Sequence, residues 1–176
     1  MKARFFLLVL LIFTILFCIG FVYWRYSYRV QQKLIFSSVP NLGIKKTDKQ
    51  LVDLKTEAAN LTSVLIYYNS TCPICQSEAE LIREQFARDS LTQFLWISSE
   101  PLEEVRLFSV SFGLDTLSTH TFYSDTLFTL ASMFKLTGVP ATFVYDSKGD
   151  LVDYYTSAVG MTELKKTIQE AHGRSR

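Results

Sequence analysis

The chain has 176 residues, and 18 lysines and arginines almost balance 17 aspartates and glutamates. That length accommodates one domain with a real core plus an appendage, and the even charge, without a basic excess or stripe, speaks against nucleic acid as a partner. Three cysteines are too few for a disulfide framework, and there is no internal repeat, phosphate loop, nucleotide-binding glycine pattern or Gly-x-Ser-x-Gly elbow.

The first segment differs from the rest. Residues Phe5 to Trp24 (FFLLVLLIFTILFCIGFVYW) carry no charge. Twenty helical residues span about 30 Å, the thickness of a bilayer's hydrocarbon core. Tyr23, Trp24, Tyr26 and Tyr28 follow as an interfacial aromatic belt would. A cleaved signal peptide would have a shorter apolar region and an Ala-x-Ala exit. The exit here is Phe-Val-Tyr-Trp-Arg, so residues 1–24 read as an uncleaved anchor that meets the lipid bilayer through residues 5–24. Lipid modification at Cys18 would need a small residue before it, and Phe17 stands there. Cys18 reads as a small apolar residue within the span. Lys2 and Arg4 before the span and Arg25, Arg29 and Lys33 after it leave the orientation undecided by positive charge.

Residues 25–36 read as a polar juxtamembrane linker, and residues 37–172 as the main domain with a short tail at 173–176. The stretch from Lys33 to Lys55 predicts short strands with a turn near Thr47–Lys49. Ser63–Tyr68 (SVLIYY) is apolar throughout, as a strand covered on both faces would be. Pro73 to Arg88 predicts a helix with Ile82 and Phe86 on one face. Phe94–Ser98 is a second buried strand, Pro101–Phe112 a helix and Thr121–Ser124 a short strand. Asp125–Lys135 predicts a helix capped by Asp125 or Thr126. Ala141–Tyr145 and Leu151–Tyr155 form a hairpin across DSKGD, with Gly149 where positive φ is easiest. Met161–Ala171 closes the chain as an amphipathic helix, with Thr162 as its candidate cap. The alternation predicts an α/β sandwich around a mixed sheet.

Cys72 and Cys75 flank Pro-Ile at the start of the first of these helices. Pro73 suits the first helical position, where its missing N–H is not needed. That puts Cys72 at the N-cap, facing unpaired N–H groups and the positive end of the helix dipole. Both favour the thiolate, which is the nucleophile. Cys75, one turn further in, can resolve a mixed disulfide. Other roles for such a pair are a structural brace, which closes too little chain to stabilise much, zinc, which wants four ligands, and a copper–thiolate carrier. The remaining soft ligands outside the span, His120 and His172, are distant in sequence. Cys75 and Glu78 are i, i+3 and share a helix face, where the carboxylate is either a solvated surface charge or a proton acceptor for Cys75.

From Val39 to Ala171 the chain resembles thioredoxin-fold thiol–disulfide oxidoreductases, especially the membrane-tethered TlpA/ResA type. The resemblance rests on VLIYYNS leading into CPIC, on Glu78 in a Cys-x-x-Cys-x-x-Glu pattern, and on KLTGVPATFVYDSKGDLV as a Gly-Val-Pro, strand, turn, strand segment. A strand–helix insert ahead of Pro140 and the N-terminal anchor complete it. The resemblance implies a three-layer sandwich with a mixed central sheet. It implies Cys72, Cys75, Glu78 and Pro140 as catalytic residues, Pro140 as a cis-proline facing the pair, and Val139 and Pro73 as substrate contacts. The redox group would be a Cys72–Cys75 disulfide, with no bound cofactor and no metal. It implies protein thiols or disulfides outside the cytoplasm as substrates, a membrane-embedded thiol electron donor, and an inner-membrane protein whose domain faces the periplasm. Several positions depart from the pattern. Thr71 replaces a tryptophan, Ile66 a buried aspartate, and Glu80 a proline expected to kink the helix. Peroxiredoxins are similar to one another in a Pro-x-x-x-Thr-x-x-Cys stretch, and Leu65 and Asn69 occupy those positions here.

Overall fold

The computed structural model describes residues 2–174. Two compact units divide between Ile35 and Phe36. The first is a single helix, α1 (Lys2–Ile35). Its stretch from Leu10 to Ile35 contains an 18-residue window with a mean hydropathy of 1.7 and no buried residue, so the helix is long and apolar enough to cross a bilayer. The polar residues 25–33, expected as a linker, continue this helix without a break. None of them is glycine or proline, so local propensity offers no stop signal.

The second unit begins at Phe36 rather than residue 37, because the Phe36 ring is buried at its core. Its strands are β1 (Gly43–Lys46), β2 (Leu51–Asp53), β3 (Thr62–Tyr68), β4 (Thr92–Ser98), β5 (His120–Ser124), β6 (Ala141–Tyr145) and β7 (Leu151–Tyr155). They form one mixed sheet in the order β2-β1-β5-β4-β3-β6-β7. β3, β4 and β5 are mutually parallel neighbours. β6 lies antiparallel to β3, and β7 antiparallel to β6. All seven residues of β3 are buried, which explains its unbroken run of apolar and β-prone side chains.

Among the described residues the helices are α1, then α2 (Leu54–Glu57), α3 (Pro73–Phe86), α4 (Leu102–Ser111), α5 (Thr129–Met133) and α6 (Met161–Arg174). Helices α3, α4 and α6 cover one face of the sheet. There Ala79, Ile82, Phe86, Val105, Phe108, Leu164 and Ile168 pack with Val64, Ile66, Phe94, Trp96 and Val144. The other face carries Phe36, whose ring meets those of Phe134, Phe143 and Tyr154 edge-on at 4.8–5.1 Å. Helix α2 joins this face through Ser63 Oγ, which donates to the Ala58 carbonyl, and Tyr123, whose hydroxyl donates to Glu57. The result is the expected three-layer sandwich.

Three local expectations need correction. The segment after β5 is not helical from Asp125; Asp125–Phe128 form a tight turn, with Phe128 at φ 54°, and the helix starts at Thr129. Asp125 still caps it, accepting from the N–H groups of Thr129, Leu130 and Ala131 across that turn. Thr162 is the second residue of α6, so it lies inside the helix rather than at its cap. Helix α6 also runs three residues past Ala171 into the expected tail, whose last two residues lie outside those described. Helix α3 is continuous from Pro73 to Phe86, so Glu80 in place of proline leaves it unbroken.

Candidate active site

Parallel neighbours send their following loops to the same edge of a sheet, and in open α/β sheets that C-terminal edge is where sites form. The β3–α3, β4–α4 and β5–α5 loops all leave there. β6 runs the other way, so the chain enters it at that edge too. The register sets Ala141 opposite Tyr67 and Thr142 opposite Ile66, which places Pro140 level with the last residue of β3. The Val139–Pro140 bond is cis, and Pro140 is buried while Val139 is half-buried.

Cys72 is the N-cap of α3, with Pro73 in its first turn; its sulfur accepts from the Cys75 N–H at 3.4 Å. Cys72 is half-buried and Cys75 buried, with no disulfide joining them in this structure. Burial opposes ionisation of Cys72. Hydrogen bonds from the Cys75 side chain and from the N–H groups of Cys75 and Ile74 outweigh it, and the thiol is held below its usual value. Cys75 goes the other way: burial first, then the neighbouring sulfur, push its thiol up to about 12. The two thiols are therefore driven apart, Cys72 towards the thiolate and Cys75 towards the protonated form behind it. Pro73 and Ile74 are exposed beside them, Ile74 at 54%.

Glu78 is only 3% exposed. It shares the buried stripe of α3 with Cys75, Ala79, Ile82 and Phe86, which rules out the solvated-surface role for this carboxylate. Thr142 Oγ1 donates to its Oε1 at 3.2 Å, while Oε2 has no hydrogen-bond partner. Burial lifts its carboxyl from an ordinary 4.5 to about 7, against the opposing hydrogen bond from Thr142. A negative Glu78 disfavours both thiolates, so the carboxylate bears on the pair electrostatically. A carboxyl poised near neutrality beside a buried thiol has the acidity a general acid–base needs.

The structure brings together Cys72, Pro73, Cys75 and Glu78 on α3, with Val139 and Pro140 entering at the same edge. It separates His120 from them. His120 lies level with Phe94 and so with Val64, four residues before the end of β3, or about 13 Å at 3.3 Å per residue. It is committed elsewhere: Trp96 Nε1 donates to its Nδ1, and its ring stacks on Phe94. Burial takes its pKa down to about 4. His172 contacts Thr92 at the same far end. Neither histidine can complete a metal site with the pair, and among the described residues no three His, Cys, Asp or Glu side chains are grouped to hold a metal ion.

Sequence reasoning missed Thr142, Tyr68 and Glu100. Tyr68 ends β3 on the face that holds Cys75, and its buried hydroxyl has no partner; burial first, then the charges of Glu100 and Cys75, push its ionisation up. Glu100 follows β4 by two residues and reaches the loop that carries Cys72. The available signal was positional: an acidic residue just past the C-terminal end of a buried parallel strand, on the edge that also bears the cysteines.

Comparison with family models and with curated proteins gives no match. Solved structures do match, and they define the class: the fold is thioredoxin-like. MTB DsbF, solved in mixed oxidised and reduced forms, is 20% identical, with a TM-score of 0.64 over 76% of this chain and 99% of its own. A secreted Mycobacterium tuberculosis disulfide oxidoreductase homologous to E. coli DsbE is 16% identical, with a TM-score of 0.63 over 74% and 96%. The peroxidoxin BcpB of Mycobacterium tuberculosis is 20% identical, with a TM-score of 0.62 over 77% and 94%.

Proposed function

We propose that the chain is a membrane-anchored thiol–disulfide oxidoreductase of the TlpA/ResA type, which reduces disulfides of selected proteins outside the cytoplasm. One observation carries this reading: an acidified, accessible Cys72 at a helix N-cap, backed by a buried Cys75 and a buried carboxyl near neutral pKa on the same face. In the first step the Cys72 thiolate attacks one sulfur of the partner's disulfide. The Cys72–partner bond forms, the partner's disulfide breaks, and its other sulfur leaves as a thiolate. In the second, Cys75 passes its proton to Glu78 and attacks the Cys72 sulfur. The Cys72–Cys75 disulfide forms, and the partner leaves carrying two thiols once protonated. Two electrons and two protons from a thiol donor in the membrane restore the dithiol.

Pro140 shapes the wall facing the pair, and Val139 offers its backbone to an extended partner segment by strand addition. Pro73 and Ile74 supply exposed apolar contact beside the reacting sulfur. Helix α1 holds the domain on the periplasmic side of the inner membrane, near the donor. The orientation follows from the chemistry, since disulfides persist outside the cytoplasm.

The test uses the full-length chain in detergent. Cys72→Ser abolishes reduction of a model disulfide, and Cys75→Ser accumulates mixed disulfides with partner proteins. Full activity in Cys72→Ser overturns the mechanism. Tight Cu(I) binding through both sulfurs with negligible exchange would instead make the chain a copper–thiolate carrier.

A further inference from the structure

Glu100 lies in the β4–α4 loop and is the centre of a hydrogen-bond cluster that ties the β3–α3 loop to the ends of β4 and β5. Its Oε1 accepts from Ser70 Oγ at 2.6 Å and from Asn69 Nδ2 at 3.2 Å. Its Oε2 accepts from the Ser70 N–H at 2.8 Å and from Ser98 Oγ at 2.8 Å. The residue is itself fixed. Its N–H donates to Ser98 Oγ, and its carbonyl accepts from Ser124 Oγ at 2.6 Å. Ser98 and Ser124 are buried at the ends of β4 and β5. No basic side chain takes part in these bonds, and a group that accepts at both oxygens from four donors is satisfied only as a carboxylate.

What Glu100 grips is the connection into α3. Asn69 Oδ1 accepts from the N–H and hydroxyl of Thr71, and the Asn69 carbonyl accepts from the Cys72 N–H. The Ser70 carbonyl accepts from Gln76 Nε2 in the first turns of α3. An unbroken series of bonds thus runs from the sheet through Glu100 and Asn69 to the residue that carries the reactive sulfur, with Ser70 linking Glu100 to Gln76 beside it. A surface glutamate with a merely solvating role would not be wired this way, with one side fixed to the sheet and the other to the loop.

We propose that Glu100 is a positioning residue for thiol–disulfide exchange: its carboxylate clamps Asn69–Thr71 to the ends of β4 and β5, and so holds the Cys72 sulfur against the N–H groups at the start of α3. The inference rests on the exchange activity proposed above, but its structural part does not. The charge of Glu100 is not among the groups that set the acidity of Cys72, which are its own burial, Cys75, Ile74 and Glu78. A role through geometry and a role through charge therefore have opposite signs. Loosening the loop withdraws N–H groups from the sulfur and makes Cys72 a weaker acid, whereas removing a nearby negative charge would make it a stronger one.

The experiment titrates the Cys72 thiolate by its ultraviolet absorbance in full-length protein in detergent, for wild type, Glu100→Gln, Ser70→Ala and the double variant, each on a Cys75→Ser background. The amide keeps the size of the side chain but puts a donor where two donors converge. Glu100→Gln is expected to reduce the thiolate fraction at neutral pH about tenfold, the scale of one hydrogen bond to a charged group. The double variant is expected to lose no more than Glu100→Gln alone, because both break the same link. An unchanged or increased thiolate fraction, or fully additive losses, overturns the clamp. Should Glu100→Gln not fold, Asn69→Ala combined with Ser70→Ala, which strips both side-chain donors that the half-buried loop gives Glu100, gives the same readout, and an unchanged titration there is equally fatal. Wild-type protein that shows the titration but exchanges no disulfide would sink the proposed activity and leave the clamp standing.

Discussion

Replacing Glu78 by glutamine should make the domain more stable at alkaline pH and slower as a catalyst. Glu78 is 3% exposed, and burial raises its carboxyl from 4.5 to about 7 in the folded chain. Between those two values the folded state holds a proton that the unfolded state has released. Stability therefore falls as pH rises through that window, and the loss is complete above the folded value. At about 1.4 kcal/mol per pH unit, the interval from 4.5 to about 7 amounts to roughly 3 kcal/mol. The neutral amide is free of this penalty. Denaturant unfolding of full-length protein in detergent should give similar stabilities for wild type and Glu78→Gln near pH 5, with the variant ahead by up to about 3 kcal/mol at pH 8. Its resolution of a preformed mixed disulfide should meanwhile drop by about 100-fold, the lower end of what general acid–base catalysis supplies. Parallel stability–pH curves for the two proteins would refute the buried, near-neutral carboxyl, and an unaffected resolution rate would refute its role.

Three further outcomes can be checked independently. Thr142→Val removes the hydrogen bond that favours ionised Glu78, so the pH profile of mixed-disulfide resolution should move up by about one unit, the scale of one charged hydrogen bond. Asp125→Ala strips four bonds from a buried carboxylate, those from the N–H groups of Thr129, Leu130 and Ala131 and from the Tyr67 hydroxyl; thermal and denaturant unfolding should register a loss of about 2–3 kcal/mol. A reporter active only outside the cytoplasm, fused after Arg176, should be active, and a silent fusion would remove the case for extracytoplasmic exchange.

Local signals in the sequence located most of the frame. The apolar runs within β3 and β4, the helix opened by Cys72-Pro73, and the hairpin turned by Gly149 each carry their own pattern or turn chemistry, and all form as expected. What sequence could not supply was pairing. The helix between β5 and β6 invites a fourth parallel strand on the far side of β5; instead β6 crosses the sheet to lie antiparallel beside β3. That crossing puts Thr142 against Glu78, a contact between residues 64 positions apart. The start of α5 was misplaced because Asp125 caps it at one remove, with a left-handed Phe128 in between, a conformation that side-chain type alone does not forecast. Of the site, the α3 residues were legible because they share one helix. Glu100 was not, because its importance lies wholly in bonds to another loop.

The antiparallel seating of β6 ties chemistry to chain length. Side chains alternate across a strand, so advancing β6 past β3 by one position would turn Thr142 away from Glu78 and aim its neighbours into the wrong layer. The segment from Asp125 to Pro140 meters that alignment. Its residues tolerate exchange of side chains more readily than a change in their number, and a single deletion there should silence proton transfer at Glu78 while both cysteines remain in place.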